Sequence, residues 1–163
     1  MERVCPWWLG YFLINPLRRL YHNPRKILSS YVKPGALVLE PGPGMGFFTL
    51  DIARMVGDSG KVVTADIQPK MLDALLSRAR KAGVPNVIET RVVAADKMGL
   101  DDLAGKVDFA LAFAMIHELP SAAAFMFEVY AALKSGAKKV MHLQDQEVLL
   151  RHHYQVVDDY VRG

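Results

Sequence analysis

Cysteine is nearly absent: Cys5 stands alone among 163 residues. No intramolecular disulfide can form, and a reducing cytoplasm is the expected setting. Long apolar runs are missing too. The longest, Pro6 to Ile14, is broken by Asn15 and Pro16 and followed by Arg18 and Arg19, well short of the roughly 20 residues that span a bilayer. No small-residue cleavage site follows it, which argues against a secretory signal. Residues 1–22 are therefore read as an N-terminal apolar arm or lid, with peripheral membrane contact as a further use of its two tryptophans beside a basic pair.

An excess of one charge is also lacking. Lys and Arg number 20 against 17 Asp and Glu, a formal net charge of +3, and the basic residues are scattered in pairs such as Arg25/Lys26 and Lys138/Lys139. Nucleic-acid binding needs a concentrated basic patch, so it is not expected. Metal ligands at chelating spacing are missing as well. His117-Glu118 has no second histidine four residues on, and adjacent His152 and His153 would diverge by about 100° on a helix.

Apolar residues, by contrast, make up 52% of the chain and charged ones 23%, the balance of one folded domain with a buried core. From Asn23 onward, helices and strands alternate. Asn23-Pro24 caps a helix reaching about Val32. Ala36 to Pro41 is a continuous apolar run, as in a strand buried on both faces. A helix over 47–56 precedes a strand over 61–66, and Pro69 to Lys81 shows helical apolar spacing at Met71, Leu72, Leu75, Leu76 and Ala79. Strands at 87–93, 107–114 and 137–143 follow, with a short helix near 101–104 and a longer one capped by Ser121 and ending at Leu133. This order predicts an α/β fold, a doubly wound, mostly parallel sheet with helices on both faces. Ligands of such sheets bind at the carboxyl ends of the strands.

Those ends carry the distinctive residues. Glu40 closes the first strand, and Gly42, Pro43, Gly44 and Gly46 follow before a helix. Glycine permits positive φ in a tight turn and removes the side chain where backbone meets a ligand. Asp66 ends the second strand, where a carboxylate can accept from two vicinal ribose hydroxyls. A dinucleotide fingerprint would need glycine or alanine where Phe47 stands. No lysine followed by serine or threonine succeeds the glycines, which excludes a triphosphate-binding loop.

At these positions the sequence resembles the class I, Rossmann-like S-adenosylmethionine (SAM)-dependent methyltransferases. Glu40, Gly42, Gly44 and Gly46 match their first motif, and the similarity continues through Asp66, Asp96 and the strand opening at Val107-Asp108. The resemblance implies a glycine turn lying against the methionine part of SAM, with Glu40 positioning its ammonium. It implies Asp66 on the ribose, Ile67 against adenine, Asp96 accepting from the exocyclic amine, and backbone near Phe113 completing the pocket. His117 follows the fourth strand, where such enzymes place substrate-facing groups, and is the candidate catalytic base. The implied reaction is methyl transfer to a small-molecule acceptor, leaving S-adenosylhomocysteine. Two alternatives stand beside it: a catalytically silent or truncated SAM-binding module acting as a subunit, and an NAD(P)-dependent oxidoreductase.

The departure from the family comes late. The core is expected over residues 23–145, and residues 146–163 read as a helix from Glu147 to Val161 in place of the usual closing strands. An uncovered fifth-strand edge invites association, so a homo-oligomer covering it is a further expectation.

Overall fold

The computed structural model describes residues 23–113, 120–136, 140–143 and 155–156. Six strands form one sheet in the order β3-β2-β1-β4-β5-β6. They are β1 (Leu37–Pro41), β2 (Lys61–Asp66), β3 (Ile88–Val92), β4 (Phe109–Phe113), β5 (Val140–Leu143) and β6 (Gln155–Val156). The first five run parallel, and β6 pairs antiparallel with β5. The order reverses between β1 and β4, so the crevice expected for a ligand opens at the carboxyl ends of those two strands.

Among the described residues α1 (Pro24–Leu28) precedes the sheet, and α2 (Thr49–Val56), α3 (Pro69–Lys81) and α4 (Ala122–Ala132) connect its strands. The capping residues read from the sequence act as such. Lys26 N–H donates to Asn23 Oδ1 (3.3 Å) and Ala124 N–H to Ser121 Oγ (3.2 Å). At the head of α2, buried Asp51 draws in Arg25 from α1 (3.6 Å) and Arg54 one turn on (3.4 Å).

Alternation along the strands builds two cores. Val38, Val62, Phe109 and Leu111 point to one face, packing with Leu28, Ile52, Val56, Leu75 and Ala79 of α1, α2 and α3. Their neighbours Leu39, Val63, Ala110 and Ala112 point to the other, against Leu103, Phe125, Val129 and Ala132. A strand flanked by helices on both sides is apolar along nearly all its length, the pattern β1 keeps through Leu37, Val38 and Leu39 until Glu40 at its carboxyl end.

The amino ends of the strands are tied together around Asp108. Its Oδ2 accepts from Leu37 N–H (2.8 Å) and its Oδ1 from Lys134 Nζ (2.6 Å). Burial pushes this carboxyl up, but the lysine and the amide outweigh it and hold it below its ordinary value. Because Asp108 turns inward here and Val107 makes only an isolated bridge to Leu133, the fourth strand starts two residues later than its apolar run suggests.

The C-terminal expectation needs correction. Gln155 and Val156 are extended and pair with His142 and Met141, so the helix expected over 147–161 does not hold there. The open edge of β5 offers unpaired N–H and C=O groups, and a β-branched residue suits a strand better than helical spacing suits this segment. The rest of that stretch, and the arm at 1–22, lie outside the described residues. No helix among the described residues is long and apolar enough to cross a membrane.

Candidate functional site

β1 delivers Glu40 to the carboxyl end of the sheet, where the side chain is only 2% exposed. Among the described residues its Oε2 finds no hydrogen-bond partner, and neither does the buried hydroxyl Oγ1 of Thr49 at the start of α2. Burial raises the Glu40 carboxyl to about 7, with nearby Thr49 lowering it in part. A carboxylate deprived of water and lacking a full set of donors is expensive. Such a group is retained where an incoming donor completes it.

The chain after Glu40 turns through three glycines with positive φ: Gly42 at 64°, Gly44 at 54° and Gly46 at 83°. Gly42 N–H donates to Ala65 O (2.8 Å) and Gly46 N–H to Pro43 O (3.0 Å), which fixes the turn against β2. The glycines have different work. A Cβ on Gly46 would lie 3.0 Å from Leu75 Cγ, so this residue lets α3 pack close. A Cβ on Gly44 would meet nothing within 4 Å among the described residues, so there this residue borders open space. Arg78 of α3 also reaches the turn, donating to the Met45 carbonyl.

Asp66 ends β2 on the same rim. Its Oδ1 accepts from Gln68 N–H (2.8 Å), and its backbone carbonyl accepts from Val93 N–H (3.1 Å) as the chain leaves β3. Ile67 is 36% exposed beside it. Asp96 is exposed in the loop beyond β3. Phe113 closes β4, the strand beside β1. Glu40, Gly42, Pro43, Gly44, Gly46, Asp66 and Phe113 thus lie at adjoining strand ends, and Asp96 in the loop after β3. His117 lies outside the described residues.

An orphaned buried carboxylate oxygen beside an open glycine turn fits a small ligand that carries a cationic donor. It fits a dinucleotide less well. Phe47 is 7% exposed, packed edge-on against Phe48 (centroids 5.1 Å, 83°), and α2 begins only at Thr49. The close helix that would cradle a pyrophosphate is absent from this turn.

The methyltransferase-domain family matches residues 38–136. The chain belongs to the methyltransferases. Among solved structures, the chain resembles a SAM-dependent methyltransferase from Aquifex aeolicus, with 27% identity and a TM-score of 0.74 over 86% of this chain and 72% of that one. S-adenosylmethionine is the cofactor of this family, and no observation supports the oxidoreductase alternative. The ubiquinone/menaquinone biosynthesis C-methyltransferase UbiE of Vibrio parahaemolyticus serotype O3:K6 is 30% identical over 132 residues, covering 80% of this chain and 49% of that protein. Its counterpart in Enterobacter sp. strain 638 is 42% identical over 60 residues, 37% of this chain and 24% of the relative. The chain spans about half the length of the Vibrio relative.

Thr49, Arg78 and Glu128 enter the site or its surroundings without having been singled out in the sequence. Only Thr49 carries a local signal, a hydroxyl at the head of the helix that follows the glycines. Arg78 and Glu128 act across the fold, and nothing in their own neighbourhoods marks them.

Proposed function

We propose that the protein transfers the methyl group of SAM to a small-molecule acceptor by in-line displacement. The observation that supports this reading most is the buried Glu40 carboxylate with an open oxygen at the mouth of the glycine turn. When bound, SAM supplies a methyl group already activated by a sulfonium leaving group. The chain's own residues then bind, orient and exclude water.

In this reading Glu40 receives the ammonium of the methionine part and the turn from Gly42 to Gly46 lies along it. Asp66 holds the ribose hydroxyls, Ile67 packs on adenine, Asp96 accepts from its exocyclic amine, and backbone at Phe113 closes the pocket. His117 is the candidate base for an acceptor that must lose a proton, since its ordinary pKa lies near neutrality. The C-methyltransferases among the relatives make a carbon acceptor the first class to test. We place the reaction in the cytoplasm on the single cysteine. The N-terminal arm as lid or membrane contact, and a homo-oligomer at the sheet edge, belong to the same proposal.

Titration calorimetry with SAM, S-adenosylhomocysteine and NAD tests the reading. Both adenosyl ligands should bind and NAD should not. A demonstrably folded protein that binds neither adenosyl ligand sinks it. Methyl transfer to a metabolite panel that includes carbon acceptors then separates an enzyme from a silent module.

A further inference from the structure

Asp96 sits in a loop with no ladder of its own, so its position depends on whatever holds the loop's two ends. The loop leaves β3 with Val93 N–H bonded to the Asp66 carbonyl (3.1 Å), and a turn follows in which Lys97 N–H approaches Ala94 O (3.4 Å). Asp96 occupies that turn. Beyond it, Met98 N–H donates to Glu128 Oε1 (3.1 Å) and Gly99 N–H to Glu128 Oε2 (3.0 Å). Both oxygens of one carboxylate, carried by α4 from 29 residues beyond Gly99, are thus spent on two successive amides that begin two residues after Asp96. Gly99 has φ of 62°, so the chain turns sharply just beyond the two clamped amides, a conformation that favours glycine.

Two side chains of the same stretch, Met98 and Leu100, are buried against the core beneath α4. They fix the loop's depth, but apolar contact is non-directional. The carboxylate supplies direction, because charge-assisted hydrogen bonds are short and orientation-dependent. We infer that Glu128 is a positioning residue for the adenine end of the cofactor site: it aims the Asp96 turn by clamping the Met98 and Gly99 amides. This rests on the proposed SAM-binding reading and adds a residue on α4, remote from the strand ends.

The test compares S-adenosylhomocysteine with S-inosylhomocysteine, which carries an oxo group where adenine has its amine. Calorimetry on the full chain should show the wild type preferring the adenosyl ligand by about tenfold, the worth of one charge-assisted hydrogen bond. In Glu128→Ala that preference should fall toward unity, chiefly through weaker adenosyl binding, and amide hydrogen exchange at Met98 and Gly99 should accelerate. Asp96→Ala should show the same loss, and the double variant should add little to either, as expected for residues acting in one unit. Should Glu128→Ala fail to fold, Glu128→Gln, which retains one acceptor, is the substitute and should fall between wild type and Asp96→Ala. An unchanged preference in the folded Glu128 variant, or an equal loss for both ligands, overturns the proposal. So does a wild type that binds the adenosyl ligand without preferring it, which leaves the SAM-binding reading standing. A wild type that binds neither ligand overturns that reading itself.

Discussion

Glu40 is costly to keep ionised in the ligand-free protein, and the proposed function needs it in that form when a cationic ligand arrives. Its carboxyl rises from 4.5 to about 7 through burial, so between those values the native state holds a proton that the unfolded chain has released. Stability therefore falls as pH rises through that window, by about 3 kcal/mol in total if the whole difference is expressed. Glu40→Gln should abolish this dependence and make the ligand-free protein more stable at pH 8 than the wild type. Denaturant unfolding at pH 5 and pH 8 reads it directly, and equal pH slopes in both proteins would dismiss Glu40 as the source. The same substitution should weaken S-adenosylhomocysteine, whose ammonium would face a neutral amide. Asp66 differs in kind, being half-buried with its Oδ1 already engaged by Gln68. Asp66→Ala should weaken SAM by at least about 1 kcal/mol as a charge-assisted acceptor is lost, and unchanged calorimetric affinity would remove it from the site.

Between β1 and α2, two glycines of similar backbone conformation should respond differently to the same change. Gly46→Ala places a methyl group 3.0 Å from Leu75 Cγ at φ 83°. It should cost about 1–2 kcal/mol for the left-handed backbone and about 1–3 kcal/mol more for overpacking. Gly44→Ala meets nothing within 4 Å among the described residues, so only the backbone cost should apply to folding and the added methyl should project toward the proposed ligand space. Thermal unfolding should rank Gly46→Ala as the less stable variant, while titration should find S-adenosylhomocysteine binding impaired in Gly44→Ala. The reverse order would mean the two glycines have been given the wrong work.

Elements with local signals are legible in the chain. Lys61–Asp66 and Pro69–Lys81 match their expected bounds to the residue, because a continuous β-branched run and a proline at the first helical position are both near-neighbour features. The glycine turn, Glu40 and Asp66 are legible for the same reason. Interactions across the fold leave no such mark. The Glu128 clamp joins residues 29 and 30 apart, the Asp108 tie to Leu37 joins residues 71 apart, and β6 exists through pairing with β5. The second half of the site's support therefore becomes visible only when the sheet is assembled.

For the whole molecule, the groups proposed to face the ligand lie on one rim and are shared among β1, β2, the loop after β3 and β4. A ligand there contacts segments from most of the described chain and should stabilise them together. S-adenosylhomocysteine at 100 times its dissociation constant should add about 2.7 kcal/mol to unfolding stability by linkage. For a domain of this size each kcal/mol raises Tm by roughly 2–4 °C. Differential scanning calorimetry should show one transition moving upward as a unit. A split transition, with only part of the protein responding, would mean that the rim and the rest of the sheet unfold separately.

The Asp108 tie lies at the opposite end of the strands. There Leu37, Asp108 and Lys134 close on one another, while the other rim keeps positive-φ glycines and an incomplete carboxylate. The two ends can therefore be engineered independently: reinforcement near Asp108 is free to harden the scaffold, while under the proposed function changes in substrate taste are confined to the far rim. A library built for new acceptors is best anchored on a stiffened amino end, which gives it stability to lose before the cofactor pocket is disturbed.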